Sequence, residues 1–431
     1  MKILVYPHAM ELGGSQLNAV ELAGAVRDLG HQVTVISDPG PLVQRVVDTG
    51  LEHIQLPTDR RRPSPATVRR LRSLVKERGF DVVHGYEWPP GVEAYFAAGR
   101  RRDVAATCTV MSMSVAPFLP ADLSLAVGTA QIRLSVLEQR FQRRRGGRHS
   151  GRGFGFDPGL VNLLEPPVDL AANRPGHPTD AFRAQHGLDD AEDAGLLDVV
   201  VVCRLVPELK LEGVLTAVDV VGELARELPL RLVVVGDGSA REQVEARAAA
   251  ANDRAGRRAV VLTGALDDPR PAYAAASVTL GMGGSALRAL AFGQPLIVQG
   301  EEGFFELLTP ESSRTFLRQG WYGLGGDGAA TLARILRVLA ADEARRKELG
   351  DYGLHLVAER FSLEGAALLQ EAIYLDALER AGSGRRPRAT REAVRTVAGV
   401  VAHKVRRRRE RRRGTLATDD FNALANRETQ R

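Results

Sequence analysis

Residues 280–295, LGMGGSALRALAFGQP, decide the fold, because they join a strand end, a glycine-rich turn and a capped helix in one short segment. Ser285 suits an N-cap, Leu287, Leu290 and Ala291 recur on one helical face, and Gly293 ahead of Pro295 is a natural stop. Gly281, Gly283 and Gly284 precede the cap. Glycine lets backbone amides approach a ligand closely, and a helix N-terminus carries about half a positive charge, so the turn suits a phosphate. A tight strand-to-helix turn without a ligand is the other reading of the same residues.

Outward from this segment, apolar runs keep ending in loops of glycine or charge. Residues 197–203, LDVVVVC, form a continuous apolar strand of the kind buried on both faces of a parallel sheet, and Arg204 and Lys210 follow it. Two cations at a strand end match a diphosphate, since arginine offers a bidentate fork and lysine a point charge; a solvated surface pair is the alternative. The run VVVGDGSAREQVE (233–245) places Gly236, Asp237 and Gly238 at another strand end. VVLTGALDD (260–268) does the same for Asp267 and Asp268, and PLIVQGEEGFFE (295–306) for Glu301, Glu302, Gly303 and Glu306. In an open parallel sheet these loops share the carboxyl edge, where ligands bind.

The first half repeats the design. KILVY (2–6) is a strand, a loop ends in Gly13, Gly14 and Ser15, and Ala19, Leu22, Ala23, Val26 and Leu29 recur at helical spacing before HQVTVIS (31–37) returns as a second strand. This βαβ unit lacks the GxGxxG spacing, which disfavours a hydride-transferring dinucleotide enzyme. Further strand candidates at 54–56, 81–84, 104–110, 123–128 and 161–164 alternate with helical stretches, the pattern of a doubly wound parallel sheet. His84 closes the strand DVVH, with Gly85, Glu87 and Trp88 after it. A structural histidine and a group facing the carboxyl edge are both open readings. Residues 143–155, RRRGGRHSGRGFG, read as a mobile loop, either a solvated insertion or a lure for an anionic acceptor such as a lipid diphosphate.

Composition limits the rest. A chain of 431 residues, 44% hydrophobic, exceeds one ordinary core, so two domains are expected. Cys108 and Cys203 each lie in an apolar run, which fits buried thiols in a reducing compartment and neither a disulfide framework nor a metal site. No basic segment with an apolar core opens the sequence and no apolar run reaches membrane-spanning length, so the expected location is the cytoplasm. The net charge of +5 is uneven: residues 381–431 hold fifteen basic against five acidic residues, a surplus of ten that leaves the first 380 residues acidic by five. An acidic body argues against a nucleic-acid binder.

In this order the segments around residues 204–213, 233–245, 260–268 and 280–306 resemble the donor-binding half of retaining glycosyltransferases of the GT-B fold, most closely glycosyltransferase family 4. The resemblance covers about residues 1–380, more strongly in the second half. It implies an α/β protein of two Rossmann-like doubly wound parallel-sheet domains facing a cleft. Residues 1–170 would be the acceptor-side domain, 195–360 the donor-side domain, 361–380 a helix returning to brace the first domain, and 381–431 a basic tail, with the linker between 166 and 194. The implied activity is transfer of a sugar from a nucleotide-sugar donor to an acceptor hydroxyl, with retention, in glycan or glycolipid assembly. Arg204 and Lys210 would carry the catalysis by holding the donor diphosphate, with the donor lined by Gly13, Gly14, Gly236, Asp237, Gly238, Gly281, Gly283, Gly284, Ser285, Arg288, Glu302 and Glu306. His84 and Glu87 fall on the acceptor side. Neither a cofactor nor an essential metal is expected.

Three departures qualify the resemblance. Leu280 and Arg288 stand where most members carry two glutamates, Met111, Ser112 and Met113 stand where a histidine is common, and the Arg204 to Lys210 spacing is one residue longer. Leucine cannot bond a hydroxyl and arginine donates where a carboxylate accepts, so the identity of nucleotide and sugar does not follow. The alternative function is a non-catalytic sugar-nucleotide-binding protein. In the tail, Val394, Val397, Val401 and Val405 fall on one helical stripe, followed by Arg406–Arg409 and Arg411–Arg413. That pattern fits either a helix on an anionic membrane surface or a solvated, disordered tail.

Overall fold

The computed structural model describes residues 1–11, 13–58, 60, 62–145, 157–189, 195–207, 209–383 and 389–414. Most of the segment read as an arginine- and glycine-rich loop, residues 146–155, lies outside the described residues; Arg143 to Arg145 instead end a helix, Ala130–Arg145. The chain divides into two compact units, Met1–Pro167 with Leu363–Arg431, and Val168–Ser362.

Among the described residues the first unit is built on seven parallel strands: β1 (Lys2–Tyr6), β2 (Gln32–Ser37), β3 (Glu52–Gln55), β4 (Val82–Tyr86), β5 (Ala105–Val110), β6 (Ser124–Val127) and β7 (Val161–Leu163). Their order is β3-β2-β1-β4-β5-β6-β7. Leu4 of β1 pairs with Thr34 of β2 and Val83 of β4, so β1 is central and the strand order reverses between β1 and β4. Every residue of β4 and β5 is buried, as a sheet covered by helices on both faces requires. The helix Leu363–Gly382 belongs to this unit, packing on the helix Gly14–Asp28 and β5, with Ala367, Ile373, Tyr374 and Ala377 in the same core as Ile3, Val5 and Leu22. The tail also continues as a helix, Ala389–Arg413.

The second unit has six strands: β8 (Leu197–Val202), β9 (Leu230–Val235), β10 (Val260–Gly264), β11 (Val278–Gly281), β12 (Leu296–Gln299) and β13 (Phe305–Leu307). The order is β10-β9-β8-β11-β12-β13. Five are parallel; β13 runs antiparallel to β12, with Val298 opposite Glu306. Glu306 was expected in a loop and stands instead in this strand, which at three residues is too short for alternation to announce it. Here the order reverses between β8 and β11, so the loops after these two strands flank the switch point.

Candidate functional site

In the second unit, the residue after β8 is Cys203, and the loop from Arg204 leads into the helix Leu211–Leu224, whose N-cap is Lys210. In this loop Leu209 adopts the left-handed region at φ 66°. Among the described residues, neither the exposed Arg204 nor the half-buried Lys210 has a side-chain hydrogen bond or ion pair. Burial pulls the Lys210 ammonium below its ordinary pKa, and the neighbouring Arg204 charge adds to the fall. Two adjacent cations without a partner are costly in the folded protein unless an anion joins them.

Across the switch point, β11 ends in the turn to the helix Gly284–Leu290. Ser285 is not the N-cap. Gly283 holds that position at φ 60°, while the Ser285 hydroxyl turns back, donating to the Met282 carbonyl at 3.0 Å and accepting from the Met282 N–H at 3.3 Å. The three glycines have separate reasons. A Cβ at Gly281 would lie 2.7 Å from Ala286 Cα, Gly283 requires a positive φ, and at Gly284 a Cβ would meet only Arg288 Nη1, 3.9 Å away. Arg288 is half-buried and reaches back along its helix, so its guanidinium lies beside Gly284 at the carboxyl edge. Leu280 is a core residue of β11, 1% exposed, and cannot face a ligand.

The loop after β9 is closed by packing. A Cβ at Gly236 would lie 1.8 Å from the Cys203 carbonyl oxygen and one at Gly238 2.3 Å from that of Leu205, both at positive φ, so these glycines seat one loop on the other. The Leu205 N–H donates to the Asp237 carbonyl at 2.9 Å, and the Asp237 carboxylate accepts from its neighbour Gly238 and from Arg241 at 2.8 Å. Beyond β10, Asp268 is held by Arg270 at 2.6 Å. Beyond β12, Glu302 has φ 57° and an exposed side chain. Glu306 is half-buried beside Thr331 and Arg334, and burial raises its carboxyl pKa.

Glu212 escaped the sequence reading. From the first turn of the helix after Lys210, its carboxylate accepts from the N–H groups of Glu302 (3.0 Å) and Gly303 (2.7 Å), tying the loop after β12 to the loop that carries both cations. The available signal was a carboxylate two residues after Lys210; its partners lie some ninety positions away.

In the first unit, Gly13 caps the helix Gly14–Asp28 through backbone geometry alone. Glu87, just after β4, holds φ 66° and is buried. It accepts from Ser15 Oγ (3.1 Å), Met111 N–H (3.0 Å) and Ser112 Oγ (2.7 Å), so one carboxylate gathers three carboxyl-edge loops at this unit's switch point. His84 does not reach that edge. It is 0% exposed, with Nδ1 2.6 Å from Tyr374 Oη and Nε2 2.8 Å from Thr109 Oγ1, and burial drives its pKa down to about 3.

His84 therefore stays neutral in the fold while the unfolded chain protonates it below about pH 6.5. The unfolded state binds the extra proton, so stability is complete above pH 6.5 and declines as pH falls towards 3. In urea melts, the stability advantage of wild type over His84→Gln is expected to shrink by about 2 kcal/mol between pH 7 and pH 5. A constant difference would refute the buried neutral imidazole.

Among the described residues no three His, Cys, Asp or Glu side chains gather as a metal set, and no helix is long and apolar enough to cross a membrane.

Residues 12–145 match a family model described as Glycosyltransferase Family 4, and residues 197–342 match one described as Glycosyl transferases group 1. A phosphatidyl-myo-inositol mannosyltransferase of Mycolicibacterium smegmatis is 33% identical over 91 residues, which are 20% of this chain and 24% of that protein; the match thus spans about a quarter of that relative. Among solved structures, a glycosyltransferase of Rickettsia africae aligns with TM-score 0.67 at 14% identity, covering 88% of this chain and 99% of its own. Anabaena HepE in complex with UDP aligns with TM-score 0.63 at 15% identity, over 88% and 100% of the two chains. A trehalose-6-phosphate synthase gives 0.58 at 13%, over 86% and 99%. At such identities these likenesses show the fold.

Proposed function

The chain carries a Glycosyltransferase Family 4 region followed by a Glycosyl transferases group 1 region on the GT-B fold, and on that premise we propose that it is a nucleotide-sugar glycosyltransferase that transfers a sugar with retention to a hydroxyl of a glycan or lipid-linked acceptor. The observation that supports the reading is the pair Arg204 and Lys210, cations that among the described residues have no side-chain partner, at the switch point of the second unit. The donor diphosphate is the anion that this pair lacks. As the acceptor oxygen bonds the anomeric carbon from the face the leaving group departs and gives its proton to the departing diphosphate, the bond from that carbon to the diphosphate breaks. Its electron pair leaves on the diphosphate oxygen, where the two cations stabilise it.

In this reading Gly284 leaves room for the diphosphate, Gly281 and Gly283 shape the turn, and Gly236 and Gly238 set the floor of the nucleotide pocket. Arg288 takes the place of a ribose-binding carboxylate, and Glu302 or Glu306 replaces the carboxylate lost at Leu280. Glu87 with the Gly13 and Gly14 turn orders the acceptor side, and His84 serves packing. The diphosphate needs no resident metal, because two side-chain cations already neutralise it. HepE has been solved with UDP and with UDP-glucose, which supports a uridine diphosphate sugar as the first donor to test. The basic tail supports a position on an anionic membrane face, next to lipid-linked acceptors.

Donor hydrolysis tests the reading. Slow release of nucleoside diphosphate from one of a panel of sugar nucleotides, unaffected by a chelator, is the expected result; no release from any donor that nevertheless binds would make the chain a sugar-nucleotide-binding protein. Arg288→Glu is expected to reorder the ranking of uridine, guanosine, adenosine and thymidine diphosphates in competition. An unchanged ranking removes Arg288 from donor selection.

A further inference from the structure

The tail helix Ala389–Arg413 docks on the first unit by one face. Thr396 Oγ1 donates to the Phe118 carbonyl at 2.9 Å, Arg395 donates to the carbonyls of Pro117 (3.2 Å) and Leu119 (2.7 Å), and Glu392 accepts from the Ala121 N–H at 3.1 Å. His403 stacks edge-on against Trp88 at 5.4 Å, and a Cβ at Gly399 would lie 2.3 Å from Phe118 Cβ, so the helix sits close. At 100° per residue the valines lie nearly opposite this docked face. Val394, Val397, Val401 and Val405 are 65%, 51%, 55% and 44% exposed.

The valine row does not end at the helix. Val397 and Val401 form one wall of an apolar groove whose other walls are Pro65 and Val68 on the helix Pro65–Arg78 and Val92 and Phe96 on the helix Trp88–Ala98. Cations border it. Arg69 and Arg72 line the groove, Arg70 and Lys76 are exposed on the same helix, and beyond the valines Arg406, Arg408, Arg409, Arg411, Arg412 and Arg413 are all exposed.

We propose that this face, the valine row with its groove and the bordering cations, is a docking surface for an anionic lipid bilayer. The inference rests on the membrane placement above and names the surface that makes it. Apolar residues in a row beside a dense basic cluster complement the boundary between acyl chains and anionic headgroups. Arginines occupy the whole circumference of the helix end, which suits a diffuse sheet of charge better than a discrete acidic partner. A second copy of the chain would bring its own arginines into repulsion, and a nucleic-acid backbone has no use for the valines.

The test is flotation of the full chain with phosphatidylcholine vesicles, with and without phosphatidylglycerol, read without any sugar donor. Wild type should bind only the anionic vesicles and weaken as salt rises. The variant Val394→Ser/Val397→Ser/Val401→Ser should bind about tenfold more weakly at unchanged charge, since membrane affinity scales with the apolar area inserted. Arg408→Gln/Arg409→Gln/Arg411→Gln/Arg412→Gln should lose about a hundredfold or more. All these side chains are exposed, so both variants should melt and hydrolyse donor as wild type does. Wild type that ignores anionic vesicles at low salt overturns the membrane placement and the surface together. Serine and wild-type proteins that bind alike overturn the surface alone, leaving attraction by charge. A wild-type dimer that the serine variant dissolves would make the row a self-association surface and overturn the proposal.

Discussion

Replacing Lys210 with alanine is expected to slow turnover of a nucleotide-sugar donor by about a hundredfold or more, the loss that follows removal of one preorganised contact to a developing negative charge. The structure separates this effect from misfolding. Among the described residues Lys210 has no side-chain partner, and its ammonium is held below its ordinary pKa by burial and by Arg204, so its removal takes away a cost of folding. Lys210→Ala should therefore melt no lower than wild type. Nucleoside diphosphates should raise the melting temperature of wild type and leave that of the Arg204→Ala/Lys210→Ala double variant unmoved. Equal stabilisation of both proteins would place the donor diphosphate elsewhere.

A second large effect is expected at the opposite edge of the same sheet. Asp198 and Arg231 face each other in the register of β8 and β9, are 2% and 1% exposed, and are joined by Arg231 Nε to Asp198 Oδ1 at 2.7 Å and Nη2 to Oδ2 at 3.2 Å. Asp198→Ala removes the buried carboxylate on which Arg231 and, at 3.0 Å, Arg183 converge, and should destabilise the second unit by about 3–5 kcal/mol. Arg231→Leu added to Asp198→Ala should recover part of the loss, because the buried guanidinium is removed while Arg183 loses Asp198 and keeps Asp189 at 2.6 Å. Trp321 is buried in this unit, and Trp88 belongs to the other, so urea melts in a Trp88→Phe background report the second unit by itself. A single variant as stable as wild type would show that the pair is dispensable. These residues lie at the amino ends of their strands, away from the carboxyl edge, so donor affinity of the folded variants should be unchanged.

The two cases divide what was legible in the sequence from what was not. Apolar runs such as LDVVVVC and KILVY, punctuated by glycine and followed by helical spacing, determined two parallel-sheet domains, because hydrophobic periodicity and turn chemistry are local properties. The same logic put Arg204, Lys210 and the Gly281–Gly284 turn at strand ends, and topology then brought those ends to one edge. The acidic body, the basic tail and its valine stripe were also written in the residues.

Only the tertiary structure decided which polar groups meet. Asp198 sits inside an otherwise apolar run, and its partner lies 33 positions on, fixed by strand register. Glu212 reaches a loop 90 and 91 positions away, and His84 is sealed by Tyr374 across 290 positions of chain. Ser285 looked like a cap, but a positive φ at Gly283 turned its hydroxyl back to Met282. For the tail, the sequence determined that four valines share a stripe, and the fold decided that the helix docks by its other face and leaves them in solvent. The physical reason is common to all of these: propensity and periodicity act over a few residues, whereas a buried charge, a hydrogen bond or an exposed face is assigned by packing between segments distant in the chain.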